Sequence, residues 1–384
     1  MSRTLKVEVD PKVFKWLRES AGWTKEEVAK RLGTSIEVVE AIEARERQPT
    51  LRQLKELSNA YKRPLAAFLL SKPLEEPPLP KDYRMLPGKQ DVFDKKTIYA
   101  IRKARNLQDV GAELLINFND SAKPKVKRLK VADNPELVAI KCRETFNLSV
   151  EAQRKFRNSY ELFNYLRDKI EEMNILVFQF SMPVEDARGF ALTDENPNVI
   201  IINSADSIEA RVFSVLHELG HVLLGETAID LPDISVATSH KVENWCNSFA
   251  SEFLLPKEIA KAVFKFEGGN LTEPKTLGKL SRRFKVSKGM LSYKMLKLNF
   301  ITKLVYEKIL NRYKPGESVP KPDEEKKKGG GIPAEVRCLS EVGNKFVSMV
   351  ANNYDRNFIT YTDALNYLSI RSKNFNSVLA RAKQ

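Results

Sequence analysis

The stretch His217-Glu218-Leu219-Gly220-His221 lies inside the apolar run Ile208 to Leu224 and determines what the middle of the chain must form. On a helix, residues four apart lie on one face, so both imidazoles can share a tetrahedral zinc ion. Glu218 then projects close to the open coordination position. A carboxylate there can take a proton from a polarised water, which is the chemistry that peptide hydrolysis needs. The alternative is a buried helix that contains this pattern by chance. Because the chain has only 3 histidines, we favour the metal site.

A zinc ion with two histidine ligands needs a third protein ligand and keeps its fourth position for water. The next helix, predicted from Val242 to Leu255 and ended by Pro256, offers Glu243 and Glu252. These two residues are two and a half turns apart, so they cannot both face the metal. Asn247, one turn after Glu243, could orient a ligating imidazole from behind.

His240 is the remaining histidine and lies just before the predicted ligand helix. In zinc peptidases a second donor often stabilises the tetrahedral oxyanion, and His240 is the candidate for that role. The alternative is a solvated loop histidine.

A small sheet is predicted directly before the metal helix. A long helix from Ser149 to Met173 leads into the strand Ile175 to Phe180. Two further strands, Gly189–Leu192 and Val199–Ile202, flank the turn signal Asp194–Asn198 and predict a hairpin. An edge strand of this sheet could hold an extended peptide across the metal by strand addition.

The first seventy residues predict five short amphipathic helices. Thr24 to Glu27 has the form of a capping box, and Gly33-Thr34-Ser35 is a tight turn between the second and third helices. A helix, a turn and a second helix at this spacing are how a DNA reader places its recognition helix in the major groove. The candidate DNA contacts are Thr34, Ser35, Arg45 and Arg47.

The predicted recognition helix, Ser35 to Ala44, carries Glu37, Glu40 and Glu43. Carboxylates can accept a hydrogen bond from cytosine, yet they repel phosphate. Two interpretations therefore stay open for this domain, namely binding of double-stranded DNA and a protein-docking or dimerisation role.

Composition sets further bounds. The chain of 384 residues is expected to form about two to four domains, and its net charge of +14 favours an anionic partner, nucleic acid before membrane. Cys142, Cys246 and Cys338 are odd in number and far apart, which supports neither disulfides nor a CxxC zinc site. No apolar run reaches the length of a membrane span, and Met1–Asp10 lacks a signal-peptide core. We therefore expect a cytoplasmic protein.

The fold class expected is mainly α with a small β-sheet (α+β). A proline-rich linker is predicted after the first domain, and a segment rich in proline, charge and glycine is predicted to be a flexible tether before a small helical C-terminal unit. Leu277 to Ile301 has the form of a second helix-turn-helix that is rich in Lys and Arg. An interpretation with equal weight is that this segment is a subdomain that packs against the metal domain. The predicted units are 1–72 (five-helix helix-turn-helix), 73–96 (linker), 97–310 (helical segment and metal domain with its helix-turn-helix-like end), 311–332 (flexible linker) and 333–384 (helical accessory unit).

Two resemblances follow from these motifs. The run from Trp23 to Ser35, with Ile42 to Thr50, resembles the Cro/C1-type (XRE) helix-turn-helix domain of repressors. The region from about Tyr160 to Phe300 resembles the IrrE/ImmA family of zincin-like metallopeptidases, whose pattern is HExxH, then E-x-x-A/C-N-x-F-A and Leu-Leu-x-Pro. The matching residues are His217, Glu218, His221, Glu243, Cys246, Asn247, Phe249, Ala250 and Pro256.

The second resemblance implies roles for individual residues. His217, His221 and Glu243 would bind Zn2+ or another divalent metal, and Glu218 would act as general base. It also implies a zinc-dependent endopeptidase that cleaves a regulatory protein, in particular a transcriptional repressor, in a stress response or a mobile element. The alternative is a DNA-binding transcription regulator in which the metallopeptidase fold senses or docks and hydrolyses nothing. The sequence leaves the oligomeric state open.

Overall fold

The computed structural model describes residues 5–74, 93–118, 125–230, 241–313 and 332–382. Helices dominate, and one sheet of four strands is present in the described ranges. The expected fold class, mainly α with a small β-sheet, is confirmed. The chain divides into two compact units, one made of Met1–Leu79 with Gly88–Lys103, the other containing Ala104–Gln384.

The first unit is built from short helices around one apolar core. Thr24 and Thr50 each close a capping box at the start of a helix, and the box at Thr24 is the one expected from the sequence. Phe14, Leu17 and Phe68 have no exposed surface. Four of the five predicted helices are α-helical, whereas the fifth is a 3₁₀ helix, Leu65–Leu69. The α-helices are α1 Pro11–Ser20, α2 Lys25–Leu32, α3 Ile36–Glu43 and α4 Leu51–Tyr61.

The second unit begins within α5, Lys95–Ile116, and continues through α6, Pro135–Thr145. The single helix predicted from Ser149 to Met173 is wrong, since the structure has two helices there, α7 Val150–Lys155 and α8 Ser159–Glu172. Phe156 is extended, and the Asn158 side chain accepts a hydrogen bond from the N–H of Glu161. Asn158 is therefore an N-cap, and α8 begins after it as a separate helix.

The sheet has the strand order β1-β3-β2-β4, and β4 was not foreseen. β1 and β3 run parallel, whereas β2 and β3 form the predicted antiparallel hairpin with Gly189 opposite Ile202. β4 pairs with β2 in the antiparallel sense. The strands are β1 Ile175–Phe180, β2 Gly189–Leu192, β3 Asn198–Asn203 and β4 Ala228–Asp230.

Helix α9, Ile208–Leu224, carries the HExxH stretch and packs between the sheet, α8 and α10, Lys241–Leu254. Its apolar positions Val212, Val215 and Leu219 have no exposed surface. The helix is therefore buried nearly all round, which explains why the run Ile208 to Leu224 is apolar.

After α10 come α11 Lys257–Glu267, α12 Pro274–Phe284, α13 Lys288–Lys297 and α14 Lys303–Arg312. α12 and α13 are the two helices of the predicted second helix-turn-helix. Six successive residues of α13, from Met290 to Met295, are buried. A helix buried on all sides cannot enter a groove of DNA, so the packing-subdomain interpretation is favoured.

The C-terminal segment forms α15 Ala334–Asp355, α16 Tyr361–Tyr367, a 3₁₀ helix Ser372–Asn374 and α17 Phe375–Ala382. These helices belong to the second compact unit, and α15 packs on β1 and α8. The segment predicted as a separate accessory unit, 333–384, thus adjoins the metal domain. Most of the two predicted linkers lies outside the described residues.

Within the described ranges, no helix is both long and apolar enough to cross a membrane. Cys142, Cys246 and Cys338 are buried thiols, and no disulfide joins them in the part of the chain that the structure describes. Burial raises the pKa of the Cys142 thiol to about 12.

Candidate metal centre

Three metal-binding side chains meet between α9 and α10. Nε2 of His217 lies 3.2 Å from Oε2 of Glu243, and Nε2 of His221 lies 3.2 Å from Oε1 of the same carboxylate. The two Nε2 atoms are 3.2 Å apart. All three side chains have no exposed surface. No second group of three such residues occurs in the part of the chain that the structure describes.

The spacing of these atoms fits a small divalent cation. Zinc bound at 2.0–2.1 Å in a tetrahedral site places neighbouring ligand atoms about 3.3 Å apart. Three such atoms buried this close together need either shared protons or a metal cation among them. The residues present therefore suit a metal ion with nitrogen and oxygen ligands, and zinc is the ion for which this donor set is most typical.

Glu243 is in the carboxylate form beside the two histidines. Burial alone would raise the pKa of the Glu243 carboxyl, but the two imidazoles outweigh this effect and hold the pKa far below its usual range. The carboxylate form is the form that can ligate a metal.

α9 is fixed at both ends, which fixes the two histidines. The Ser207 side chain caps its N-terminus, and Gly225 ends it in the left-handed conformation with φ of 70°. The close approach of α10 depends on Gly220, since a Cβ there would lie 3.0 Å from Sγ and 3.2 Å from Cα of Cys246. The glycine of HExxH thus brings Glu243 within reach of the histidines.

Glu218 is buried on α9, beside His217, and faces β2. A Cβ at Gly189 would lie 3.0 Å from Oε1 of Glu218. The absence of a side chain at Gly189 therefore leaves room for the carboxylate. Sequence reasoning used Gly189 only as a strand end and missed this role, which only the packing of α9 on β2 reveals.

Residues 125–133 form a segment that is hydrogen-bonded to both α9 and α10, and the sequence did not predict these contacts. The Leu129 N–H donates to the Leu223 carbonyl at 2.8 Å, and Arg128 donates to the carbonyls of Leu224 and Gly225 at the end of α9. Trp245 Nε1 on α10 donates to the Asp133 carbonyl at 2.7 Å. In sequence this segment is a basic run that contains Lys125, Lys127, Arg128 and Lys130. Its charge gave no signal of these main-chain contacts.

Glu252, the other candidate for the third ligand, lies away from the metal cluster. One of its oxygens accepts a hydrogen bond from the N–H of Lys257 at 2.8 Å, and the other pairs with the ammonium group of Lys294 on α13. The Glu252 and Lys294 side chains are both buried. Glu252 therefore joins α10 to α13, and Glu243 is the carboxylate beside the histidines.

Two further residues, Asn247 and His240, were predicted to support the site. Asn247 is buried on α10 one turn after Glu243, but no hydrogen bond from it to an imidazole is present among the described residues. Its orienting role stays a prediction. His240 falls outside the described residues, so its proposed oxyanion role also stays a prediction.

In the helix-turn-helix unit, two of the three acidic residues of α3 are engaged within the unit itself. Glu43 accepts from Arg18 Nε at 2.6 Å with both side chains buried, and Glu40 pairs with Lys25 at 2.8 Å. The expected repulsion of phosphate by these carboxylates is reduced accordingly. Ser35, Arg45 and Arg47 are exposed and Thr34 is half-buried, so the candidate DNA contacts lie at the surface.

Together, a helix with paired histidines, a second helix with a glutamate and a small sheet form a candidate metal site of the kind that metallopeptidases use. Residues 170–296 match the model of a peptidase family described as the IrrE N-terminal-like domain, and residues 14–68 match a helix-turn-helix family model. No curated protein and no solved structure matches the chain. The chain thus combines a helix-turn-helix domain with an IrrE N-terminal-like peptidase domain, as the two sequence resemblances indicated.

Proposed function

We propose that the chain is a zinc-dependent endopeptidase, with His217, His221 and Glu243 as metal ligands and Glu218 as general base. The observation that carries the proposal is the buried convergence of three ligand atoms at 3.2 Å separations on a peptidase-family domain. A bound divalent cation would supply Lewis acidity to a water and to the substrate carbonyl.

Glu218 performs the proton transfers. Its carboxylate accepts a proton from the attacking water and returns that proton to the departing amine, so that it serves as base and then as acid. It is not one of the three clustered ligands, because the cluster contains only the two imidazoles and Glu243 among the described residues. Loss of this one carboxylate should therefore separate chemistry from metal binding.

The test uses the variant Glu218→Gln in the full chain, with Glu258→Gln as a matched surface control. Glu258 is exposed on α11 and pairs with Lys261 one turn later. We expect Glu218→Gln to keep zinc, measured by atomic emission after dialysis, and to lose cleavage of fluorescein-labelled casein by at least about a hundredfold. Glu258→Gln should retain both. Cleavage by Glu218→Gln at the wild-type rate would refute the mechanism.

For the substrate we propose a regulatory protein, in particular a transcriptional repressor, cleaved in the cytoplasm to relieve repression. The helix-turn-helix domain on the same chain supports this proposal, because it links the peptidase to transcription. A small repressor encoded by a neighbouring gene is the protein to incubate with the enzyme. Intact repressor after incubation with zinc-loaded wild-type enzyme that cleaves casein would refute that substrate.

A second candidate function, a DNA-binding regulator in which the peptidase fold senses or docks, is favoured by the pairing of Glu40 and Glu43 inside the first unit. Gel shifts with double-stranded DNA across a salt series distinguish it, since affinity that depends on phosphate contacts falls steeply with salt. Replacing Arg45 and Arg47 by alanine should weaken such binding. Regulation that persists in Glu218→Gln would favour this candidate.

A further inference from the structure

Helix α15 contains a break at Gly343. This residue has φ of 82° and ψ of 160°, so the helix stops and starts again within Ala334–Asp355. At such a break the last carbonyl groups of the first half and the first N–H groups of the second half lack partners within the helix. Other groups must satisfy them if the break is buried.

Helix α8 supplies those groups. The Arg167 guanidinium donates to the carbonyls of Leu339 at 3.1 Å and Ser340 at 2.8 Å, and Glu171 accepts from the N–H of Lys345 at 3.3 Å. Arg167 and Glu171 are themselves paired and buried. A Cβ at Gly343 would overlap both of their side chains. The break is therefore shaped to receive the Arg167–Glu171 pair.

A second set of hydrogen bonds connects the same break to the metal-bearing helix. Gln179 on β1 donates through Nε2 to the Ser340 carbonyl at 2.7 Å. Its Oε1 accepts from Arg211 Nη1 at 3.0 Å, and Arg211 lies in the first turn of α9. Arg211 also donates from Nε to the Asp206 carbonyl at 3.1 Å. One glutamine thus joins α15 to the start of α9.

The buried surroundings of Gln179 make its hydrogen bonds to α15 and α9 difficult to replace. Gln179 is buried, so water is a poor substitute for the Ser340 carbonyl. α15 is also held on the sheet, where Phe346 meets Phe178 edge to face with ring centroids 5.4 Å apart. His217 lies six residues after Arg211 on the same helix, and a buried helix moves as a rigid body rather than bending within two turns.

We propose that Gln179 and Arg211 are positioning residues that couple the break in α15 to α9, so that the C-terminal helices set the placement of the metal ligands His217 and His221. This rests on the proposed metal centre. Neither residue belongs to the HExxH pattern, and the acceptor Ser340 lies beyond the segment that matches the peptidase family.

The test compares three variants of the full chain. Gln179→Met removes both hydrogen bonds at similar size, whereas Gln179→Glu keeps an acceptor for Arg211 and loses the donor to Ser340. Gln108→Met is the control, because Gln108 is a buried amide that donates to the Pro197 carbonyl at 3.0 Å and has no described bond to α9. Zinc affinity is measured by competition with a chromophoric chelator, and stability is measured by denaturant unfolding.

We expect both Gln179 variants to bind zinc about three- to tenfold more weakly than wild type, less than the loss for a residue that touches a ligand directly. Gln108→Met should lose stability and keep its zinc affinity. Wild-type affinity in Gln179→Met would overturn the coupling, and wild-type affinity in Gln179→Glu alone would overturn the role of α15. Absence of zinc binding by the wild-type protein would refute the metal centre itself.

The variant Gly343→Ala tests the same coupling by disturbing the break in α15 instead of Gln179. Its control is Gly268→Ala, since Gly268 also has a positive φ, 55°, but a Cβ added there would meet no atom within 4 Å in the described part of the chain. Both variants carry the strain of alanine in that conformation. Only Gly343→Ala should weaken zinc binding, and equal zinc affinities in the two variants would overturn the proposal.

Discussion

Glu243 and Glu252 lie on one helix, and both are buried. A buried carboxyl group either stays protonated or lies beside a positive group or a metal ion. For Glu252 that group is the Lys294 ammonium, which pairs with it. For Glu243 the neighbours are two imidazoles whose Nε2 atoms lie 3.2 Å from its oxygens. Glu252 therefore has a lysine as its counter-charge, whereas Glu243 belongs to the cluster that could hold a metal ion.

The two glutamates make a matched pair for mutation. Glu243→Gln should lower zinc affinity by at least about a hundredfold, because it replaces a charged ligand with a neutral one. Glu252→Gln should keep zinc but lose about 3 kcal/mol of unfolding free energy, because it leaves the Lys294 ammonium buried without its counter-charge. Chelator competition and urea unfolding measure the two effects. If Glu252→Gln lost zinc, the assignment of Glu243 rather than Glu252 as the metal ligand would be wrong.

These residues also show how much of the candidate metal site could be predicted from the sequence. Helical spacing alone could place His217 and His221 on one face and reduce the third ligand to two candidates. It could not choose between them, because the partner of Glu252 lies 42 residues further along the chain. The roles of Gly189 and Arg128 were invisible for the same reason, since main-chain and packing contacts leave no periodic signal.

At the scale of elements, the geometry of the candidate metal centre depends on the distance between α9 and α10. Gly220 lies at their crossing, and Cys246 is the nearest residue of α10. The side chain that Gly220 lacks would meet both Sγ and the main-chain Cα of Cys246 at 3.0 and 3.2 Å. The main-chain atom cannot rotate away, so an added methyl group must push the helices apart by a few tenths of an ångström.

Gly220→Ala should therefore weaken zinc binding by about tenfold, since the histidines lie on α9 and the glutamate on α10. The control is Gly278→Ala in α12, where the nearest atom to an added Cβ is the flexible Arg282 side chain at 3.7 Å. That control should gain about 0.5–1 kcal/mol from helix propensity and keep its zinc affinity. Equal zinc affinities in the two variants would show that the helix separation is not limiting.

The limits of helix α3 could be predicted from the sequence, whereas the ion pairs of its acidic residues could not. Its limits follow from the turn at Gly33 and the apolar positions Val39 and Ile42. Its acidic residues left two interpretations open, DNA binding and a protein-docking or dimerisation role. The pairing of Glu43 with Arg18, 25 residues earlier, depends on how α1 packs against α3, and local sequence carries no record of it.

At the scale of the whole molecule, the sheet requires helices from both sides of the family-matched segment. Residues 170–296 match the peptidase family. Leu176 of β1 contacts α5 at Gly111, and Phe178 packs on Phe346 of α15. The sequence suggested a separate C-terminal unit because a polar segment precedes it. Contacts between residues so far apart in the chain are set by tertiary packing, which periodicity does not encode.

The Arg167–Glu171 pair gives this packing a pH dependence. Burial raises the pKa of Glu171 from 4.5 to about 7, although Arg167 and the N–H of Lys345 lower it and Asp168 raises it further. Because the folded-state pKa is above the unfolded value, the contribution of this carboxyl to stability is complete below pH 4.5 and is lost as pH rises through 7. Over that range the loss is up to about 3 kcal/mol.

Unfolding free energy measured in urea at pH 6 and pH 8 should therefore fall more steeply in wild type than in Glu171→Gln, which does not titrate. Glu172→Gln on the same helix is the control, because Glu172 is exposed and pairs with the nearby Lys169. That control should follow the wild-type slope, since the buried carboxyl at position 171 is intact. A wild-type slope in Glu171→Gln would mean that the pair stays ionised throughout this range, with Arg167 compensating the burial of Glu171 completely.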